Sequence, residues 1–386
     1  MMPPAPEGSP MSALPLSVLP LSVLPLSVLP LPVLPLPVLP LPVPPVSPVV
    51  MGEDSIFCDE GLDLVEAMMG RLASGDRLDR AGVMVQEHLS TGGKRVRARL
   101  ALAATAALGG DRAAAAPWAA ACELLHNATL IHDDIQDGDT VRRGQPTTWV
   151  RHGVHQAINA GDLLLMLPFV ALASLQVSGD HRAALSRSLA EAAVRTVRGQ
   201  VEDIDLLPGE HLHRAAWVRA ARGKTGGLFS LPVEGAALVA GYDAAAAARM
   251  SAPFAELGVL FQLQDDVVDL YGDKGRGRPG ADLREGKVSS LVVAHLERAP
   301  SDRPWLLALL QAPREATPDS SVELAIRRFR KSGALDAVLT EIMQIREQVL
   351  SDPALTAALR GVATELVDAS LAPIAQLWSP SHVPQS

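Results

Sequence analysis

Two aspartate clusters, Asp133-Asp134-Ile135-Gln136-Asp137 and Asp265-Asp266-Val267-Val268-Asp269, repeat one spacing well over a hundred residues apart. Each closes an apolar stretch of helical character, residues 124–132 and 257–264. On a helix the i to i+4 spacing stacks Asp133 over Asp137 and Asp265 over Asp269, with Cβ atoms about 5–6 Å apart. Like charges so placed repel, so a helix gains nothing from them unless a cation sits between. A fold that satisfies both clusters brings two distant helix ends together around several hard divalent ions. Mg²⁺ suits such patches, because it takes one or two carboxylates, keeps waters, and is completed by substrate phosphates. One cluster alone could be a solvated acidic face; two copies flanked by apolar residues are a poor match to that reading. Neither has the glycine and terminal glutamate of a twelve-residue calcium loop.

The scaffold around them reads as helix. The chain has 386 residues and is 48% hydrophobic, but only 3% aromatic, so the apolar content is mostly Ala, Leu and Val. Alanine-rich runs at 100–108 and 113–125 favour helix. Period-two alternation is scarce after residue 50, which argues against a β protein. Breaks are expected at 90–93, 109–111, 138–146, 178–180, 208–209, 272–280 and 312–321. Between them, Leu185, Leu189, Ala193, Val197, Val201 and Ile204 form an amphipathic stripe. The stretch 254–263 is apolar nearly all round, as in a central buried helix. One all-α domain over residues 51–378 is expected, with a frayed tail at 379–386.

The first fifty residues are a separate object. A pentad repeats six times from Leu14 to Val43, first Leu-Pro-Leu-Ser-Val and then Leu-Pro-Leu-Pro-Val. Proline so dense forbids α-helix, so the segment cannot be a transmembrane helix. No Lys or Arg precedes Arg71, so a signal peptide is not expected either. Polyproline II or disorder is the expected state. The exact repetition suggests tandem duplication and a dispensable tail, with Met51 a candidate start. No membrane span is expected. Net charge is −9, which disfavours a nucleic-acid partner. Only Cys58 and Cys122 are present, too few for a disulfide framework, so a reducing, cytoplasmic setting is expected.

A site that gathers metal-bound phosphates also needs cations. Gly92-Gly93-Lys94-Arg95-Val96-Arg97 places glycines before a helix start, with Lys94 and Arg97 three apart and expected to face one way. It lacks the strand and spacing of a nucleotide P-loop. Arg142-Arg143 follows the first cluster and can grip diphosphate oxygens bidentately. Lys224-Thr225-Gly226-Gly227 suits close approach of phosphate to backbone. The loop 272–287, with Lys274, Arg276, Arg278 and Lys287, follows the second cluster and reads as a lid. His126 lies about two turns before Asp133, and Gln262 three residues before Asp265, so both are candidate phosphate ligands.

Taken together, Gly92–Arg97, His126–Pro146, Ala160–Asp162, Gly199–Asp203, Lys224–Phe229 and Phe261–Lys287 resemble the trans-isoprenyl diphosphate synthases, or polyprenyl synthetase family, over about residues 60–350. The resemblance implies an isoprenoid synthase-type helical bundle around one deep central cavity, usually as a homodimer. It implies a prenyltransferase that condenses isopentenyl diphosphate with an allylic diphosphate. Asp133, Asp137 and Asp265 would bind Mg²⁺, assisted by Asp134 and Asp269. Lys94, Arg97, His126 and Arg143 would hold isopentenyl diphosphate. Arg142, Lys224, Thr225, Gln262 and Lys287 would hold the allylic diphosphate. Arg278 stands where many relatives carry lysine, in a loop about a residue shorter.

Product length in such a cavity depends on what closes it below Asp133. Ala128 is five residues earlier, about 7.5 Å down the axis, and Thr129 adjoins it; neither is bulky. Relatives that stop at fifteen carbons carry aromatic plugs at this level, so a product of at least twenty carbons is expected, geranylgeranyl diphosphate first. Leu125 and Cys122 are the expected floor. A class I terpene cyclase also ionises a diphosphate at such a cluster, but has no use for a second diphosphate site. A regulatory subunit of a prenyl synthase should have lost aspartates, and both clusters are intact.

Overall fold

A computed structural model of the protein describes residues 59–77, 79–206, 212–272 and 279–378. The expectations for residues 1–50, 379–386, Cys58, Lys274, Arg276 and Arg278 lie outside the described residues. Sixteen α-helices follow in order among those described. The first eight are α1 (Leu62–Ser74), α2 (Arg80–Ser90), α3 (Val96–Ala107), α4 (Arg112–Gln136), α5 (Thr148–His152), α6 (Val154–Leu172), α7 (Gly179–Asp205) and α8 (Arg214–Ala221). The rest are α9 (Gly227–Val239), α10 (Ala244–Tyr271), α11 (Ala281–Arg284), α12 (Ser290–Arg298), α13 (Arg303–Leu310), α14 (Asp319–Lys331), α15 (Ala334–Ser351) and α16 (Ala357–Leu371). A π-helical turn, Arg222–Gly226, joins α8 to α9. Among the described residues, β-structure is confined to a hairpin, β1 (Val141–Arg142) antiparallel to β2 (Gln145–Pro146). Its two-residue turn places Arg143 and Gly144 at φ 52° and 75°, the left-handed pair that matches strand twist.

The two helices that carry the aspartate clusters form the middle. α4 starts where the Asp111 carboxylate accepts the Ala113 N–H at 2.9 Å, and packs along α6, α3, α1 and α9. α10 starts on Asp243, which accepts the Ala246 N–H at 2.8 Å. It is buried through most of its length against α9, α15 and the π-helical turn. The expected central helix at 254–263 is thus its middle. α9 reaches α4 closely because residue 235 is glycine: a Cβ there would lie 1.9 Å from the Trp118 ring. Trp118 is wholly buried and donates its indole N–H to the Pro232 carbonyl at 3.1 Å.

The stripe on α7 divides its work. Leu185 and Leu189 sit in the core, whereas Val197, Val201 and Ile204 are 59%, 53% and 52% exposed. α6 is long and apolar enough to cross a bilayer by length and composition. One side of it packs on α4, α2 and α5, and the other leaves Val154, Ile158, Met166, Phe169 and Val170 exposed.

Candidate active site

α4, α7 and α10 enclose a cavity of about 480 Å³, the size of a small-molecule site. Much of its acidic lining comes from the C-terminal ends of α4 and α10, Asp133, Asp137, Asp265 and Asp266, joined by Asp139, Asp203 and Asp282. The cationic lining is Arg97, Arg142, Lys224 and Lys287, joined by His126, Gln262 and, on the π-helical turn, Thr225. Below them the lining turns apolar, with Leu125, Leu165, Ala193, Val197, Leu228 and Phe261.

Burial and charge set the ionisation of this lining. Burial pushes the Asp133 carboxyl up; Lys224 opposes that and neighbouring Asp137 adds to it. Burial also works against the Lys224 ammonium, but Asp133 and Asp203 outweigh it and hold the pKa above its usual value. Lys287 is raised in the same way, its burial overcome by Asp137 and Glu285. It contacts both carboxylates at 2.8 Å. Arg97 is lowered to about 10 by burial and stays cationic at neutral pH. Its guanidinium lies 4.7 Å from the centre of the Phe229 ring and 5.9 Å from that of Phe261. Burial, then Arg97 and Arg143, drive His126 well below its usual value, so it is a neutral imidazole.

Lys224 is aimed by two devices. Its ammonium donates to Asp203 at 2.9 Å. Its backbone rests against α7 at Gly199, where a Cβ would stand 2.1 Å from the Lys224 nitrogen. Only glycine admits that approach. Asp203→Ala is expected to lower kcat/KM by about ten- to a hundredfold, the worth of one charge-assisted hydrogen bond, in steady-state kinetics with the circular dichroism spectrum unchanged.

The second cluster differs from simple stacking. Asp265 lines the cavity, but Asp269 turns away and is only 4% exposed. Asp269 accepts the Asp282 N–H at 3.2 Å, and its carbonyl takes the Gly280 N–H at 2.9 Å. It therefore ties down the chain returning from the glycine loop and does not line the cavity. Asp266 lines the cavity in its place and accepts from the Ser290 N–H at 2.6 Å and the Gln262 amide at 3.2 Å. Burial, reinforced by Asp282, raises Asp266 to about 7. A carboxyl raised on folding is penalised as the unfolded chain ionises and the folded one does not. That penalty opens above the unfolded value near 4 and is complete above about 7. Asp266→Asn should thus match wild type near pH 4 and gain on it by about 1.4 kcal/mol per pH unit up to neutrality, read from denaturant midpoints.

Other sequence expectations are corrected by helix phase. Asp134 is 1% exposed and points away from the cavity; one of its oxygens takes both Arg142 contacts at 2.6 Å. Its carboxylate is spent on Arg142. Lys94 and Arg97 do not face one way, because α3 begins only at Val96 and Arg95 is left-handed at φ 49°. Lys94 is left exposed outside the helix while Arg97 turns inward. Arg143, on the hairpin tip, is exposed and donates to the Gly92 carbonyl rather than lining the cavity. Thr129 and Leu125 line it, four and eight residues before Asp133 and therefore on its face. Ala128 lies about 140° round the helix and is buried in the core. Cys122, a turn below Leu125, is also core and does not line the cavity.

Several working residues escape a reading of the sequence alone. Asp203 is visible there only as the end of the Gly199–Asp203 stretch, and Glu285 only as a neighbour of Lys287. Arg314 contacts both Asp139, at 3.4 Å, and Glu285, at 3.0 Å. These pairs join segments far apart in the chain and leave no local pattern.

Among the described residues no three His, Cys, Asp or Glu side chains converge tightly enough to cage an ion alone. Asp133, its carboxyl raised by burial with Asp137 close by, is of the kind that would suit a hard cation shared with a ligand's phosphates.

The sequence profile of the polyprenyl synthetase family matches residues 81–327. The chain is 40% identical over 245 residues to a geranylgeranyl diphosphate synthase of Mycobacterium tuberculosis, covering 62% of this chain and 69% of that protein. It is 34% identical over 254 residues to a short chain isoprenyl diphosphate synthase of Methanothermobacter thermautotrophicus, covering 65% and 77%. Among solved structures, a geranylgeranyl pyrophosphate synthetase from Pyrococcus horikoshii superposes with a TM-score of 0.72 at 28% identity, over 81% of this chain and 98% of that one. A family match over most of the folded region, and a shared all-α architecture, agree with the cavity: the chain belongs to the polyprenyl synthetase family of prenyltransferases.

Proposed function

We propose that the protein condenses isopentenyl diphosphate with an allylic diphosphate to give an all-trans prenyl diphosphate of at least twenty carbons, with geranylgeranyl diphosphate favoured, and diphosphate. The observation that carries this is the cavity's lining, which joins charged groups to an apolar part where the face of α4 below Asp133 presents Thr129 and Leu125, neither of them aromatic.

The allylic diphosphate is gripped by Arg142, Lys224 and Lys287, and isopentenyl diphosphate by Arg97 and His126. Neutral His126 donates a hydrogen bond without adding charge. As the allylic C–O bond breaks, its electron pair leaves with the diphosphate, and the fixed cations stabilise that growing charge. The carbocation left behind faces apolar walls that exclude water. The double bond of isopentenyl diphosphate attacks it, and the proton then lost goes to the departing diphosphate. Asp133, Asp137 and Asp265 would hold Mg²⁺, which disperses diphosphate charge when bound.

The exposed apolar face of α6 supports a homodimer. Asp162 falls within that stripe and its side chain is 63% exposed, 3.5 Å from His132. A carboxylate there is costly in hydrocarbon but tolerable in a protein interface. Sedimentation should return twice the chain mass.

Incubation of the purified chain with Mg²⁺, isopentenyl diphosphate and a labelled allylic primer tests the main reading. Elongation to twenty or more carbons is expected; a cyclic hydrocarbon, or no turnover with intact fold, overturns it.

A further inference from the structure

Arg142 stands in a wall between two spaces. On one side is the main cavity; on the other is a void of about 10 Å³ lined in part by His88, Asp134 and Arg142. That is roughly the room one water needs. Two polar atoms of the lining lack partners. Asp134 spends one oxygen on Arg142, leaving its Oδ2 buried and unpaired. His88 Nε2 is equally buried and makes no hydrogen bond, although the Asn127 side chain, whose own Oδ1 is unpaired, lies near enough to act on the imidazole. Asp134 and His88 are only 1% and 4% exposed. A carboxylate oxygen left bare in such a place is costly, and a bridging water removes the cost. Direct pairing of His88 as a cation is disfavoured: burial first, then Arg142 and Arg143, lower it to about 3.

We propose that one buried water occupies this void, donating to Asp134 Oδ2 and hydrogen-bonded to His88 Nε2, so that His88 is a positioning residue for Arg142. The water fixes the carboxylate's rotation, the carboxylate fixes the guanidinium, and the guanidinium presents its edge to the cavity. This inference rests on the reading of Arg142 as a contact of the allylic diphosphate.

A double-mutant cycle separates the two. His88→Phe keeps a ring and removes the nitrogen. It should raise KM for the allylic diphosphate about tenfold and leave that for isopentenyl diphosphate within about twofold. His88→Gln, with an amide near the same place, should restore most of the loss. In an Arg142→Gln background, His88→Phe should add nothing. If Arg142→Gln impairs the enzyme but His88→Phe leaves the allylic KM unchanged, or the two effects simply add, the positioning role falls alone. If Arg142→Gln is itself silent, the diphosphate reading falls and takes this inference with it. A crystal structure of the unaltered protein is decisive even should His88→Phe fail to fold. Density for a water within about 3.2 Å of both atoms supports the proposal; an empty void or a direct His88–Asp134 contact overturns it.

Discussion

Asp133→Asn is expected to lower kcat by about a thousandfold, comparable to the loss of a principal transition-state contact, while the melting temperature holds or rises. The two effects have one cause. Asp133 sits partly buried beside Asp137, and its carboxyl is pushed up by that burial before any ligand arrives. On the proposed function, the folded protein therefore bears an unfavourable negative charge that serves only when a cation and a diphosphate are bound. Removing the charge relieves the scaffold and disables the chemistry, the usual trade between stability and activity. Steady-state rates and thermal melts on the same preparation check both halves. A variant that keeps wild-type turnover, or activity that persists in excess chelator, would remove the basis for a metal-assisted reaction.

Thr129→Phe is expected to shift the main product from twenty or more carbons to fifteen. Thr129 is one turn below Asp133 and lines the cavity, so an aromatic ring there closes the shaft above Leu125. Ala128→Phe should behave differently, although it lies one residue away. Ala128 is wholly buried in the core, so a ring at that position overpacks the helix interface. It should cost about 1–3 kcal/mol of stability without changing product length in the fraction that folds. Chain-length analysis by mass spectrometry, paired with denaturant titration, distinguishes a plug from a packing defect. Equal product shifts in both variants would show that the shaft runs along a different face of α4.

That contrast also marks where sequence reading works and where it stops. Asp133 and Asp137 are legible because a four-residue spacing within one uninterrupted helix fixes a shared face. Counting axial rise alone points to Ala128; counting rotation as well points to Thr129. Lys94 and Arg97 mislead for a different reason. The left-handed Arg95 resets the phase just before α3, and nothing in a basic run announces such a residue. Arg95 itself is buried and spent on Glu66 at 2.6 Å and the Leu89 carbonyl at 2.8 Å. Asp134 and Asp269 look like their neighbours in a motif, yet their directions depend on partners across a hairpin and across the glycine loop. The helical architecture is readable from composition and breaks. The Lys224–Asp203 and Glu285–Arg314 pairs are not, since tertiary contact alone creates them.

The contact between Lys287 and Asp137 has a consequence for how ligands enter. The Lys287 ammonium neutralises one oxygen of the first cluster. A bare divalent ion must therefore compete with a tethered counter-ion and gains little on its own. On the proposed function, a diphosphate bound with its ions would give Lys287 a new anion to hold in place of Asp137, so the exchange would conserve charge. Metal affinity measured on the enzyme alone should accordingly be weak, and should tighten sharply in the presence of inorganic pyrophosphate.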